Sequence, residues 1–209
     1  TICDAVIKLV IEQKQSWLSA GIDAGRISLN IHASQLKRPE TLLEHLSDAS
    51  FGAVETSDIV LEITEGALIG RGTERIPQLL TDLKAKGFMV SLDDFGTGFA
   101  SLTHLKALPV DEIKIDRNFV SDLVGGTSGF AILKALVDIA DALDLTVIAE
   151  GIETIDQAAL LTEAGCTRGQ GYLFSRPVDA RTATRFLKNR VWTTSEETNA
   201  PNRLQITKA

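Results

Sequence analysis

Apolar residues recur along this chain with two alternating periods. Helical spacing opens it: Ile2, Val6, Leu9, Val10, Gln13 and Trp17 share one stripe of a helix that Gly21 can end. Ile76, Leu79, Leu80 and Leu83 form a second stripe closed by Gly87, and Leu133, Leu136, Val137, Ala140 and Leu143 form a third. Thr154 and Gln157 make a capping box at the head of a further helix, which Gly165 can stop. Between these stretches, strands are predicted over 27–32, 58–63, 88–93, 112–116, 146–150 and 169–173. Such alternation predicts an α/β fold with a parallel sheet and right-handed crossovers.

Strand parity says more. Ile27, Leu29 and Ile31 oppose Ser28, Asn30 and His32, while Ile59, Leu61 and Ile63 oppose Val60 and Glu62. Phe88, Val90 and Leu92 oppose Met89, Ser91 and Asp93, and Ile113 and Ile115 oppose Glu112, Lys114 and Asp116. Val147 and Ala149 oppose Ile148 and Glu150; Gly169 and Gly171 oppose Gln170. The apolar face must meet the helices, so the other face looks to the far side of the sheet. If the sheet closes on itself, Asn30, Glu62, Asp93, Lys114, Glu150 and Gln170 line its interior, each late in its strand.

From Asn30 to Gln170 the five strand-to-strand intervals average about 28 residues, close to the roughly 31 per unit of a (β/α)₈ barrel. The expected architecture is therefore a TIM-like barrel missing its first strands. The chain opens inside an amphipathic helix, so the missing strands are expected before Thr1, and residues 1–209 alone are expected to be inactive or poorly folded. Active sites of such barrels sit at the C-terminal strand ends, and six polar residues there are costly to bury without partners. Residues 1–190 read as the barrel domain and residues 191–209 as a polar C-terminal tail.

Composition narrows the class. Of 209 residues, 44% are hydrophobic and 23% charged, as in ordinary globular domains. No apolar run is long enough to span a bilayer and no secretory signal opens the chain. Cys3 and Cys166 lack metal-site spacing, so reduced thiols and a cytoplasmic setting are expected, within a membrane-tethered protein if the chain is part of one. A formal charge of −7 argues against a nonspecific nucleic-acid binder. A phosphorylated ligand remains compatible, provided a metal reverses the sign of the local field.

Ser91-Leu92-Asp93-Asp94-Phe95-Gly96-Thr97-Gly98 begins as a strand and ends as a glycine-broken loop. Neighbouring strand residues point to opposite faces, so Asp93 and Asp94 converge only if the chain leaves the strand between them. Gly96 and Gly98 are expected to permit that departure. Asn30, Glu62, Asp93 and Asp94 form an all-oxygen set from three successive strands, with no His-x-x-x-His or Cys-x-x-Cys beside them. That donor set favours Mg²⁺ or Mn²⁺ over zinc. Two neighbouring ions sharing Asp93 would suit in-line displacement at phosphorus. Lys114 adds a fixed cation for developing charge, Glu150 a carboxylate able to take a proton from water, and Gln170 a positioning amide.

Val60-Leu61-Glu62-Ile63-Thr64-Glu65, Asp93-Asp94-Phe95-Gly96-Thr97-Gly98, Leu108-Pro109-Val110-Asp111, Ile113-Lys114-Ile115-Asp116, Ala149-Glu150-Gly151-Ile152-Glu153-Thr154 and Gly169-Gln170-Gly171-Tyr172-Leu173-Phe174-Ser175-Arg176-Pro177 closely resemble the EAL-domain cyclic-di-GMP phosphodiesterases. The resemblance runs to about residue 189, and six motifs in register make it specific. It implies a (β/α)₈-like barrel that hydrolyses cyclic di-GMP to linear pGpG with two Mg²⁺ or Mn²⁺ ions. It implies Asn30, Glu62 and Asp93 on one metal, Asp93 and Asp94 on the second, Lys114 and Glu150 on the nucleophilic water, and Gln170 in support. Gln35 and Arg176 are implied to bind substrate. Glu65 and Glu153 are implied to brace the Asp-Asp-Phe-Gly loop, which also serves homodimerisation. An upstream sensory or diguanylate-cyclase-like domain is common in the family. The Glu-Ala-Leu tripeptide itself is absent from the sequence, and His32 stands where the family has a small hydroxyl residue. His32 reads as a tolerated neighbour, and His45 and His104 as surface positions on helices. A receptor that binds cyclic di-GMP without hydrolysing it is the alternative; such receptors lose metal ligands or loop acids, and those that fall within residues 1–209 are intact, although the metal-binding glutamate of the Glu-Ala-Leu strand is absent with that strand. An enolate-type Mg²⁺ barrel also accommodates Lys114 and the acids, but not the Asp-Asp-Phe-Gly-Thr-Gly loop.

Overall fold

The computed structural model describes residues 2–48, 51–68, 72–96, 102–123, 127–189 and 205–206. Among them the elements run α1 (Ile2–Ser19), β1 (Ile27–Asn30), α2 (Ala33–Leu36), α3 (Pro39–Asp48), β2 (Ile59–Thr64), α4 (Ile76–Ala85), β3 (Met89–Phe95) and α5 (Leu102–Ala107). Then follow β4 (Glu112–Ile115), α6 (Arg117–Asp122), α7 (Thr127–Ala142), β5 (Thr146–Ala149), α8 (Ile155–Glu163), β6 (Arg168–Gly169), α9 (Ala180–Asn189) and β7 (Gln205–Ile206). The chain divides into two compact units, Thr1–Leu92 with Gly98–Val110 and Asp93–Thr97 with Asp111–Ala209. None of the helices described is long and apolar enough to cross a membrane.

In the first unit β1 pairs in parallel with β2, Leu29 opposite Leu61 and Asn30 opposite Glu62. All of β2 but Thr64 is buried, as expected of a parallel strand covered on both faces. Helix α4 seats Ile76, Leu79, Leu80 and Leu83 in the core, all at most 1% exposed, each burial contributing about 1.5–3 kcal/mol. Phe51 and Phe88 meet edge to face at 5.8 Å.

Helix α1 departs from its expected stripe. Val6 and Leu9 are exposed, and the buried positions among its described side chains are Ile7, Ile11 and Lys14. The Lys14 stem lies in the core while its ammonium donates to the Gly25 carbonyl and pairs with Asp58 Oδ1 at 3.4 Å. A lysine with an apolar stem and a satisfied head can occupy a core position, which a count of apolar residues alone does not register.

In the second unit β4 pairs in parallel with β5, β5 with β6 and β6 with β7. Leu133, Val137 and Ala140 of α7 pack in the core with Ile113, Val147 and Ile148 also buried. Helix α8 carries the expected capping box: Thr154 Oγ1 accepts from the Gln157 amide, and Gln157 Oε1 accepts from the Thr154 amide. The strand expected over 169–173 is shorter. Only Arg168 and Gly169 pair as strand, and the chain then turns back, with Ile152 N donating to Gln170 O and Leu173 N to Ile152 O. Gly171 lies so close to Ile152 that a Cβ there would collide with its backbone. Cys166 is a buried free thiol whose pKa burial pushes up to about 11. The expected tail lies outside the described residues apart from Gln205 and Ile206, and so does the side chain of His104.

Candidate active site

The second unit gathers its charge where β4, β5 and β6 end. Lys114, third residue of β4, is 4% exposed. Its Nζ sits 3.2 Å from Asp93 Oδ1 and 2.6 Å from Glu150 Oε1. Glu150 directly follows β5, and its amide donates to the Ile115 carbonyl, which extends the parallel ladder by one residue. Gln170 directly follows β6; its amide donates to Ala149 O at 2.8 Å and its Nε2 to Glu150 Oε1 at 2.5 Å. A buried ammonium is tolerated only when paired and hydrogen-bonded, and here two carboxylates hold it. Gly151, with φ of +67°, turns the chain away after Glu150 so tightly that a Cβ would strike Arg117.

Asp93 and Asp94 share this end. Asp94 itself adopts φ of +56°, a left-handed conformation that costs a non-glycine residue about 1–2 kcal/mol. The departure thus falls between the two acids, where parity required it, and two residues before Gly96, the glycine expected to permit it. Gly96, at φ of +97°, continues it, and Gly98 lies outside the described residues. The twist lets both carboxylates face one point, and the Asp94 amide donates to Asp93 Oδ1 at 3.1 Å. Strain at a non-glycine position persists where a surrounding structure over-determines it, and such positions cluster at functional sites. Asp93, Asp94 and Glu150 each offer an oxygen within 4.8 Å of the others. Three carboxylates against one ammonium leave a formal charge of −2, which a divalent cation would cancel. An all-oxygen donor set of this kind suits a hard cation.

In the first unit Asn30 ends β1, exposed, opposite the buried Glu62 of β2. Glu65 is fully buried at the start of the 3₁₀ turn Glu65–Leu68 that follows β2. Gln35 belongs to α2, and its Oε1 accepts the His32 amide at 2.8 Å. In the second unit Glu153 is exposed, its amide donating to Gln157 Oε1 at 2.8 Å. The exposed Arg176 guanidinium lies 4.4 Å above the Tyr172 ring, within cation–π range. His45 is half-buried on α3.

Two features escaped sequence reasoning. Gln170 and Lys114 converge on one Glu150 oxygen, a side-chain arrangement that residue spacing does not encode. Ser91 Oγ, on the face of β3 shared by Asp93, is buried and has no hydrogen-bond partner among the described residues. Parity placed Ser91 on that face, but nothing in the sequence marked its hydroxyl as unpartnered.

Fold and site together define a parallel α/β domain with a lysine-bridged carboxylate cluster at its strand ends. A family model described as the EAL domain matches residues 1–177, and the chain belongs to that family. It is 37% identical over 185 residues to the cyclic di-GMP phosphodiesterase NbdA of Pseudomonas aeruginosa, an alignment covering 88% of this chain and 24% of the relative. Among solved structures, the PaMucR phosphodiesterase in complex with c-di-GMP superposes with a TM-score of 0.79 at 36% identity, covering 87% of this chain and 73% of that one. The manganese/cy-diGMP complex of Klebsiella pneumoniae BlrP1 gives 0.67 at 30% identity, covering 73% and 39%. The fold class is thus α/β, of the TIM-like barrel type these EAL structures share. The chain spans about a quarter of the length of the curated relatives it matches.

Proposed function

We propose that this chain forms part of a domain that hydrolyses cyclic di-GMP to linear pGpG with divalent metal ions. The observation that carries the reading is Lys114 held between Asp93 and Glu150, with Gln170 on the same Glu150 oxygen. Relatives named as cyclic di-GMP phosphodiesterases and a neighbour solved with c-di-GMP support it.

Hydrolysis adds one water: its oxygen bonds to phosphorus, a P–O3′ bond breaks, and the 3′ oxygen takes a proton. Glu150 accepts the proton of the attacking water, and Gln170 fixes the Glu150 carboxylate so that its lone pairs face the nucleophile. Lys114 stabilises negative charge growing on the phosphoryl oxygens, in a setting where it has already lost its water. Asp93, Asp94 and Glu150 fit one divalent cation, and the family pattern assigns Asn30, Glu62 and Asp93 to another; Mg²⁺ or Mn²⁺ is the proposed occupant. Bound there, the ions would supply Lewis-acid charge neutralisation at phosphorus. Gln35 and Arg176 take substrate-binding roles, and Glu65 and Glu153 brace the Asp-Asp-Phe-Gly loop. Residues 1–190 belong to the catalytic barrel, with 191–209 a tail. It works as a cytoplasmic homodimer through that loop, alongside an upstream sensory or diguanylate-cyclase-like domain.

Incubating the purified full-length protein that contains this chain with cyclic di-GMP and Mg²⁺ or Mn²⁺ tests the reading. Linear pGpG should accumulate, and a chelator should stop it. Binding without product, or product formed equally in chelator, would overturn it.

A further inference from the structure

The proposed reaction leaves one chemistry-bearing side chain unused at the end of β1. We propose that His32 is a further substrate-binding residue, whose Nε2–H donates to a phosphate oxygen of the cyclic dinucleotide. The inference rests on the phosphodiesterase reading and adds a contact to it.

Position comes first. The ladder continues beyond β1, since Ile31 N donates to Glu62 O at 2.8 Å, and His32 is itself extended at φ −73° and ψ 146°. Exposure alternates accordingly: Asn30 exposed, Ile31 buried, His32 exposed. Asn30 and His32 therefore share a face, two residues and roughly 6–7 Å apart. His32 thus stands beside Asn30, the residue proposed to hold a metal ion at this strand end.

The ring's proton is placed by its neighbours. The backbone amide of Ser34 can only donate, and it donates to His32 Nδ1 at 3.2 Å, while the Ser34 hydroxyl lies 2.9 Å from the same nitrogen. Nδ1 is thus the acceptor, and the neutral imidazole carries its hydrogen on Nε2. No hydrogen bond is made by Nε2 among the described residues, and the side chain is exposed. The reciprocal bond from the His32 amide to Gln35 Oε1 completes the capping box, so the ring is held before any ligand arrives. A preorganised N–H donor favours an acceptor oxygen, and an anionic phosphate oxygen is the strongest available. A serine here would spend its one oxygen on the cap; histidine makes the same cap and adds an outward donor.

His32→Ser and His32→Asn both keep an N-cap acceptor and remove the imidazole. Both should melt with the wild type, while kcat/KM for cyclic di-GMP falls roughly tenfold, the loss carried by KM. Wild-type KM in either folded variant overturns the proposal and leaves His32 a cap alone. A change in melting temperature with KM unmoved has the same meaning. If the full-length wild-type protein itself makes no pGpG, it is the phosphodiesterase reading that fails.

Discussion

The strand ends of the two units handle polarity differently. At the β1–β2 end a neutral amide, Asn30, faces a buried carboxylate, Glu62, in register. At the β4–β6 end an ammonium sits between acids, and a second amide, Gln170, is bonded to one of them. The first arrangement can lose its exposed amide at little structural cost. The second keeps its own counter-charge inside the protein, so removing that charge strands several carboxylates at once. Charge balance at the second end is therefore a matter of folding as well as of chemistry.

The largest expected effect follows from this contrast. Lys114→Met should abolish turnover and, in chelator, cost about 3–5 kcal/mol of stability, the usual loss when one partner of a buried pair is removed. Added Mn²⁺ should restore part of that stability, because the uncompensated acids then hold a cation. Asn30→Ala, the matching change at the other end, should shift stability by only about 0.5 kcal/mol. Urea titrations of both variants with and without metal measure the difference, and equal losses would erase the contrast. A smaller effect concerns Asp94. Asp94→Gly and Asp94→Ala both remove the carboxylate, but only glycine relaxes the left-handed backbone. Asp94→Gly should be the more stable by about 1 kcal/mol, read from the same titrations; the reverse order would deny strain at this position.

Legibility in the sequence followed the kind of signal involved. Helices α4 and α7 were legible because their buried stripes consist of apolar residues at helical spacing, and α8 because its cap is written in Thr154 and Gln157. The buried face of α1 was not, because Lys14 reads as solvent-facing until Gly25 and Asp58 are seen around its ammonium. Strand parity put Glu62 and Lys114 on the face opposite the apolar residues, and both are buried. At Asp94 it required the chain to leave the strand between the two acids, and the left-handed dihedral there supplies that departure. The hydrogen bond from Gln170 to Glu150 was beyond reach for another reason: it depends on how far two loops close after β5 and β6, and Gly151 and Gly171 set that through contacts with Arg117 and Ile152.

The most direct measurement is the rate of pGpG formation from cyclic di-GMP by the full-length protein carrying Asp93→Asn in saturating Mg²⁺. Loss of a carboxylate that both touches Lys114 and belongs to the acidic cluster should remove several kcal/mol of transition-state stabilisation, about a thousandfold in rate or more. A folded Asp93→Asn protein turning over at the wild-type rate would contradict the account.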